Sequence, residues 1–300
     1  MIAAFLRLSR LKFLTGGLIC VAFGACLAAF IAGHWVIPIL EYLIAQITVT
    51  TFQLMTHYTN DYFDREGDKL TTQTDFSGGS GVLNTDQFRV HHALVAAAIS
   101  AGAASLALAS LGLMHKTRAL ELGIAIGLLA YSYSSPPFRL LARGMGELTT
   151  AFVVAVLVPL FALRCGTEAA LSSAAILSLL PGACAMFIMM LCVQYPDLEA
   201  DAATGKRNLV VRLGRIQANK LIRAAAITLC VCVLGAVIAG APWTLLAFSG
   251  LSAPLLISVV RLAQFADGAS LQPNARLAAA GVTLFLITIG FNTLAYAAML

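Results

Sequence analysis

The sequence predicts an all-α membrane protein in which nine transmembrane helices form one bundle, with residues 1–300 making up a single polytopic domain. Hydrophobic residues make up 60% of the chain and charged residues only 11%, against about 25% charged in a typical soluble domain. The apolar residues form runs that are long enough for helices to cross a bilayer. Glycine and alanine recur inside these runs, and such small residues let membrane helices pack closely.

The order of the apolar runs defines the predicted helices. Residues 1–12 form a short basic lead, and the run after it is too long for the apolar core of an ordinary signal peptide. The run that begins at residue 119 is short and ends in Ser-Ser-Pro-Pro, so we expect it to bend or partly unwind at its end. The predicted spans cover residues 13–32, 36–59, 92–113, 119–135, 146–164, 169–194, 217–240, 243–265 and 276–299.

The basic residues predict the orientation of this bundle. With nine spans and a cytoplasmic N-terminus, 16 of the 19 Lys and Arg residues fall on the cytoplasmic side, and only Lys116, Arg118 and Arg164 fall outside. The positive-inside rule therefore favours a cytoplasmic N-terminus and an external C-terminus, in the inner membrane of a cell. Because the basic residues lie between apolar runs, the net charge of +5 does not indicate a nucleic-acid partner. The seven cysteines lie in or beside apolar runs without CxxC spacing, and we interpret them as small core residues.

An acidic stretch, residues 60–68 (NDYFDREGD), follows the second apolar run. At about 100° per helical residue, Asp61, Asp64 and Asp68 fall on one face. Three carboxylates on one face repel each other, and the helix dipole disfavours negative charge at a C-terminus. A cation should compensate, and Mg²⁺ suits oxygen ligands of this kind and is often completed by substrate phosphates.

A second acidic stretch, residues 194–201 (QYPDLEAD), follows the sixth apolar run. Asp197 and Asp201 are spaced i, i+4 on one helical face, and Glu199 points roughly away from it. Both stretches fall on the cytoplasmic side of the predicted topology, so they could hold metal ions between them in a central cavity that opens toward that side. Each could instead be a solvated loop edge, but ionisable groups at membrane ends in matching helical patterns favour a functional site.

Two cytoplasmic loops carry further candidate groups. The loop at 60–91 contains the glycine-rich segment 76–81, whose backbone N–H groups could face a phosphate, although a merely flexible loop would have the same composition. Lys206 and Arg207 lie beside the second acidic stretch, where cations would suit a diphosphate. Basic residues are also expected in any cytoplasmic loop, so a role in topology alone remains open.

These motifs together resemble a known family. NDYFDREGD resembles the NDxxDxxxD motif of the UbiA-type intramembrane prenyltransferases, and PDLEADAATGKRNLVVRLG is similar to their second, DxxxD-containing motif. The resemblance extends from about Arg10 to the last predicted helix. Within the family the chain looks nearest to the menaquinone-type branch, which prenylates 1,4-dihydroxy-2-naphthoate. The features that suggest this branch are Gln53, residues 205–209 and residues 146–148.

The resemblance implies Mg²⁺-dependent transfer of a prenyl group from a prenyl diphosphate to an aromatic acceptor in the lipid bilayer, in menaquinone or related quinone biosynthesis. Loop 136–145, together with the preceding Tyr133, resembles the family's Tyr-Ser-x-Pro-Pro-x-Arg/Lys segment, although Tyr131 and Tyr133 could equally be interfacial belt residues. His57 stands where many relatives have Asn, and we expect it to hydrogen-bond between helices. The implied metal-binding and catalytic residues are Asp61, Asp64, Asp68, Asp197 and Asp201; the implied substrate-binding residues are Gln53, Asn60, Arg65, Lys69, Tyr133, Arg139, Lys206 and Arg207.

Other functions remain as alternatives. The acceptor could be 4-hydroxybenzoate, a chlorophyllide-type ring or a glycerol lipid. A carboxylate-dependent transporter would place its acidic residues near the bilayer midplane, often in inverted repeats. Here the acidic residues lie at the span ends and no repeat is visible, which favours the enzyme.

Overall fold

The computed structural model describes residues 2–35, 38–85, 88–266 and 271–300, and within these ranges it is helical without a β-strand. A π-helical turn, Val153–Leu157, joins the helices Gly146–Phe152 and Val158–Gly166 into one continuous helical segment. The helices are α1 (Ile2–Leu8), α2 (Leu14–Ala32), α3 (Ile39–Asp68), α4 (His91–Leu113), α5 (Thr117–Ser134), α6 (Gly146–Phe152), α7 (Val158–Gly166), α8 (Ser173–Leu177), α9 (Leu180–Val193), α10 (Leu198–Ala203), α11 (Leu209–Ile238), α12 (Thr244–Phe265) and α13 (Leu271–Ala297).

Helical structure coincides with every predicted span across the described ranges, but not all of these helices are equally apolar. Seven are long and apolar enough to cross a membrane, and they identify an integral membrane protein. The helices at the other two predicted spans are α3 and α5. Because α3 has 30 residues, its polarity and not its length distinguishes it from the seven strongly apolar segments. The predicted start of the second span, Val36, lies outside the described residues. The seven segments are Ile2–Ala32, His91–Leu113, Gly146–Gly166, Ser173–Val193, Leu209–Ile238, Thr244–Phe265 and Leu271–Ala297.

The helices pack through close contacts that small residues permit. Helix α2 lies against α7, α3 against α4 and α5, and α13 against α2, α9 and α12. At the α2–α7 crossing, a Cβ added to Gly24 would lie 2.2 Å from the carbonyl oxygen of Pro159. Only glycine allows these two backbones to approach so closely, as is typical of helix contacts in membranes.

Large apolar side chains cover the outer surface of the bundle. Leu106, Leu113 and Ile238 are each more than three-quarters exposed, at 76%, 83% and 87%. Such an apolar surface would be an aggregation hazard in water but suits contact with lipid.

Two features of the fold position the polar groups. Helix α3 extends nine residues beyond the predicted span to end at Asp68, and α9 ends at Val193, just before the short helix α10. Both ends meet at one end of the bundle, where α10 packs on α3 and the segment at 69–85 folds over them. The π-helical turn lies on the wall of the cavity beneath, and such turns occur frequently at functional sites.

Candidate active site

One cavity of about 280 Å³ joins the two acidic stretches. A single face of α3 supplies much of its polar wall, through side chains spaced three or four residues apart as one helical face requires. Those side chains are Gln53, Thr56, His57, Asn60, Asp64 and Asp68. The deeper walls are apolar, with Phe52, Ile126, Leu129, Met186, Met190 and Phe285 among their residues.

The first acidic cluster is held by specific hydrogen bonds. Asp64 Oδ2 accepts hydrogen bonds from Asn60 Nδ2 and Lys206 Nζ, each at 2.8 Å. Asp61 is only 2% exposed and forms an ion pair with Arg10, while Asp68 lines the cavity one helical turn beyond Asp64. The predicted common face is therefore present, although Asp61 contacts Arg10 and is not itself among the cavity-lining residues.

The second acidic cluster faces the first across the cavity. The backbone N–H of Asp201 donates to the Asp197 carbonyl at 2.8 Å, so the two residues are one helical turn apart as predicted. Asp201 Oδ2 accepts a hydrogen bond from Asn208 Nδ2 at 2.6 Å, and Asp197 Oδ2 accepts one from the backbone N–H of Gly78 at 3.3 Å. Glu199 is exposed and is not among the cavity-lining residues, in agreement with its predicted orientation.

Lys206 joins the two clusters. Its Nζ lies 2.8 Å from Asp64 Oδ2 and 3.3 Å from Asp201 Oδ1. Burial alone would lower the pKa of the Lys206 ammonium, but the carboxylates of Asp64 and Asp201 outweigh it and raise that pKa. The lysine therefore remains protonated and acts as a counter-ion at the centre of the site.

The remaining carboxylates are poorly compensated. Burial, together with the neighbouring charge of Asp201, raises the pKa of Asp197 to about 7, against the opposing effect of Lys206. Burial likewise raises the pKa of Asp68 to about 6, with Arg10 opposing the shift. Three basic side chains, Arg10, Lys12 and Lys206, line the cavity, but Lys12 donates to the Asp75 carbonyl, so additional positive charge would stabilise the ionised site.

The chemistry of the donor atoms suits a hard divalent cation. Asp61 Oδ2 and Asp197 Oδ1 are buried and have no hydrogen-bond partner in the described part of the chain. Within the same ranges, no three Asp, Glu, His or Cys side chains lie close enough to share one metal ion. Arg10 and Lys206 instead serve as the counter-ions of Asp61, Asp64 and Asp201. Carboxylate oxygens are nevertheless the ligands that Mg²⁺ prefers, and Asp64, Asp68, Asp197 and Asp201 line one cavity, so the residues fit that ion.

The glycine-rich segment 76–81 closes over the acidic clusters. A Cβ added to Gly79, which has a φ of +66°, would lie 2.0 Å from Asp68 Oδ2. The backbone N–H of Gly78 donates to Asp197, and Lys12 Nζ lies 4.7 Å from the centroid of the Phe76 ring. The segment is therefore attached both to the acidic site and to the N-terminal region, and glycine is required where it touches Asp68.

The structure leaves four predicted substrate-binding residues outside the cavity lining. Arg65 and Lys69 each follow a cavity-facing aspartate by one residue, which turns them by about 100° on the helix, and both contact Glu66 instead. Arg207 is exposed in the non-helical segment before α11, beside Lys206, and Arg139 is exposed with a φ of 46°. By contrast Gln53, Asn60, Tyr133 and Lys206 all line the cavity, and their role in substrate binding stays a prediction.

Three polar residues of the site are absent from the sequence-based prediction. Arg10 contacts Asp61, and Asn208 both donates to Asp201 and caps α11 by accepting the N–H of Val211. Glu147 is fully buried, and its Oε1 accepts hydrogen bonds from Gln194 Nε2 at 2.8 Å and from the backbone N–H of Leu209 at 2.7 Å. An asparagine before an apolar run is a helix-capping signal, and an acidic residue at the start of a span is unusual enough to indicate a role.

The chain matches known proteins in both sequence and fold. The family model described as "UbiA prenyltransferase family" matches residues 18–289. Over 170 residues the chain is 29% identical to a 2-carboxy-1,4-naphthoquinone phytyltransferase from Synechocystis sp., a match that covers 55% of this chain and 54% of that protein. The match thus spans about half the length of this relative.

Solved structures share the fold at low sequence identity. A UbiA homolog from Archaeoglobus fulgidus bound to GPP and Mg²⁺ superposes with a TM-score of 0.68 at 17% identity, covering 98% of this chain and 99% of that one. The apo structure of a UbiA homolog from Aeropyrum pernix K1 gives a TM-score of 0.69 at 15% identity, covering 93% and 96%. These likenesses establish the common fold.

Proposed function

Because the chain belongs to the UbiA prenyltransferase family, we propose that it transfers a prenyl group from a prenyl diphosphate to an aromatic acceptor in the membrane, with Mg²⁺ as cofactor. One observation carries this proposal: two acidic clusters meet at one end of a cavity whose deeper walls are apolar. Such a cavity suits a substrate with a charged head and an isoprenoid tail. The Archaeoglobus fulgidus homolog bound to GPP or DMAPP with Mg²⁺ supports the same substrate class.

The acidic residues would hold the cofactor. Mg²⁺, when bound, would neutralise the diphosphate and so favour its departure. Asp64 and Asp68 from α3 line the cavity, as do Asp197 and Asp201 from the opposite side, and Asp61 lies beside them in an ion pair with Arg10. The proposed ligands are Asp61, Asp64, Asp68, Asp197 and Asp201.

The chain's other residues would bind and shield the reacting groups. Lys206 and Arg10 would offer positive charge to the diphosphate oxygens once the carboxylates are otherwise compensated. Phe52 and Phe285 belong to the apolar wall, which would exclude water from the allylic cation that remains when the diphosphate leaves. Aromatic ring faces also attract a cation. The nucleophilic carbon of the acceptor would then form the new bond and lose a proton.

The acceptor that we favour is 1,4-dihydroxy-2-naphthoate or a related quinone precursor, because the match to a naphthoquinone phytyltransferase supports that chemistry. Purified protein in lipid nanodiscs should be offered geranyl diphosphate with a panel of acceptors: this naphthoate, 4-hydroxybenzoate and a glycerol phosphate lipid. Mass spectrometry of the extracted lipids should find a prenylated naphthoate. Product from the glycerol lipid alone would reject the aromatic acceptor.

We further propose nine membrane spans with a cytoplasmic N-terminus and a cavity that opens toward the cytoplasm. This adds α3 and α5 to the seven strongly apolar helices, and the positive-inside rule supports it. A reporter fused after Leu300 should be active only outside the cytoplasm, and one inserted at Lys116 should agree with it. A cytoplasmic signal from the reporter at Leu300 would contradict the nine-span topology.

A further inference from the structure

His57 lies on the cavity face of α3, between Gln53 and Asn60, and its role is not explained by diphosphate binding. Its Nδ1 lies 3.0 Å from the backbone carbonyl oxygen of Ser9. Because a carbonyl oxygen can only accept a hydrogen bond, Nδ1 carries the proton in this contact. In the neutral ring, Nε2 is then a hydrogen-bond acceptor.

Nothing in the described part of the protein uses that acceptor. His57 lines the cavity, its Nε2 has no hydrogen-bond partner among the described residues, and its ring packs edge-on against Phe13 with centroids 6.1 Å apart. The contacts with Ser9 and Phe13 fix the orientation of the ring against the N-terminal segment of the chain. Nε2 is left as a fixed acceptor that a bound molecule can reach.

The neighbouring polar side chains have used their donors in the same way. Thr56 Oγ1 donates to the Phe52 carbonyl at 2.9 Å, and Gln53 Nε2 donates to the Phe13 carbonyl at 3.4 Å. Gln53 Oε1 has no hydrogen-bond partner among the described residues. In this stretch of wall the Thr56 hydroxyl and one Gln53 N–H are directed at protein carbonyls, Gln53 Oε1 is buried beside Gly17, and His57 Nε2 is left as an acceptor. This wall is complementary to a ligand that donates hydrogen bonds.

The position of His57 separates this wall from the acidic clusters. His57 precedes Asp64 by seven residues, about 10 Å along the helix axis. It therefore lies deeper than the carboxylates, where the apolar walls begin. An aromatic ring bound there would have its polar substituents beside His57 and its reacting carbon nearer to the acidic end.

We propose that His57 Nε2 accepts a hydrogen bond from a ring hydroxyl of the prenyl acceptor, and that this contact selects hydroxylated aromatic rings over their methyl ethers. The inference rests on the proposed function and specifies how its acceptor is recognised. His57 is a specificity-determining residue in this account, and the bond-forming step does not depend on its titration.

Two substitutions of His57 distinguish the role of Nδ1 from the role of Nε2. In His57→Asn, the amide nitrogen can replace Nδ1 and keep the bond to Ser9, while the acceptor facing the cavity is lost. In His57→Gln, the longer side chain can return an amide oxygen to the position of Nε2. Both proteins should be assayed in nanodiscs with geranyl diphosphate, 1,4-dihydroxy-2-naphthoate and its two monomethyl ethers.

We expect His57→Asn to raise the KM for the dihydroxynaphthoate about tenfold, the effect of one lost hydrogen bond, and to change the KM for geranyl diphosphate by less than about twofold. Wild type should prefer the dihydroxynaphthoate over one of the ethers by a similar factor, and His57→Asn should lose that preference while His57→Gln regains part of it. The inference would be overturned if His57→Asn kept the wild-type preference for the dihydroxynaphthoate over its ethers. It would also be overturned if the KM values for the dihydroxynaphthoate and for geranyl diphosphate rose equally. If wild type prenylates none of these naphthalenes, the proposed acceptor class fails, and this inference fails with it.

Discussion

Replacing Asp64 or Asp197 with asparagine is expected to reduce prenyl transfer by about 100-fold or more, the scale on which a preorganised electrostatic group contributes to catalysis. Asparagine keeps the size of the side chain but removes its negative charge. Asp64 already contacts Lys206, and Asp197 has a buried oxygen without a partner in the described structure. The apparent affinity for Mg²⁺ should fall together with turnover, so excess Mg²⁺ should restore part of the activity.

Glu199→Gln is the matched control for this experiment. Glu199 lies two residues from Asp197 and carries the same charge, but it is exposed and outside the cavity lining. Its substitution should leave turnover within about twofold of wild type, because exposed charges act weakly through solvent. Similar losses in Asp197→Asn and Glu199→Gln would indicate a generally acidic loop and would contradict a specific metal site.

Replacing Lys206 with methionine should weaken prenyl diphosphate binding by about 10- to 100-fold, the range expected when a buried hydrogen bond to a charged group is lost. Methionine keeps the length of the lysine stem and removes the ammonium that lies between Asp64 and Asp201. Lys206 is only 17% exposed at its side chain, so solvent compensates little for the loss. Binding can be measured by titrating labelled geranyl diphosphate onto protein in nanodiscs with Mg²⁺ present.

Arg207→Met tests the same change one residue further along the chain. Arg207 is exposed and absent from the cavity lining, so diphosphate affinity should stay within about twofold of wild type. If both variants lost affinity equally, the charge of the whole loop would matter and not the position of Lys206. If neither lost affinity, Lys206 would serve only as a counter-ion to the carboxylates.

The sequence was sufficient to place helical segments over the predicted spans and the acidic residues on helical faces, because both follow from local periodicity. Apolar runs mark the long helices but not the break between α8 and α9, and the spacing of Asp61, Asp64 and Asp68 places them on one helical face. The same rule could have excluded Arg65 and Lys69 from the predicted substrate-binding residues, since each directly follows a cavity-facing aspartate. Charge complementarity suggested these basic residues for a diphosphate, but helical geometry directs them to Glu66.

Contacts between distant segments could not be predicted in the same way. Arg10 precedes Asp61 by 51 residues, and nothing local to either residue specifies their ion pair. Glu147 likewise accepts hydrogen bonds from Gln194 and Leu209, which belong to segments that come together only in the folded bundle. The division between Lys206 and Arg207 also depends on tertiary structure, because adjacent basic residues look equivalent until one of them is buried.

We propose that this chain uses its two acidic clusters and Mg²⁺ to transfer a prenyl group to an aromatic ring. The most direct test incubates purified protein in nanodiscs with radiolabelled geranyl diphosphate and 1,4-dihydroxy-2-naphthoate, with Mg²⁺ or with excess chelator. We predict label in a prenylated naphthalene when Mg²⁺ is present, loss of that product with the chelator, and its return when Mg²⁺ is restored. The absence of labelled product in Mg²⁺, or product that forms equally well in the chelator, would contradict the claim.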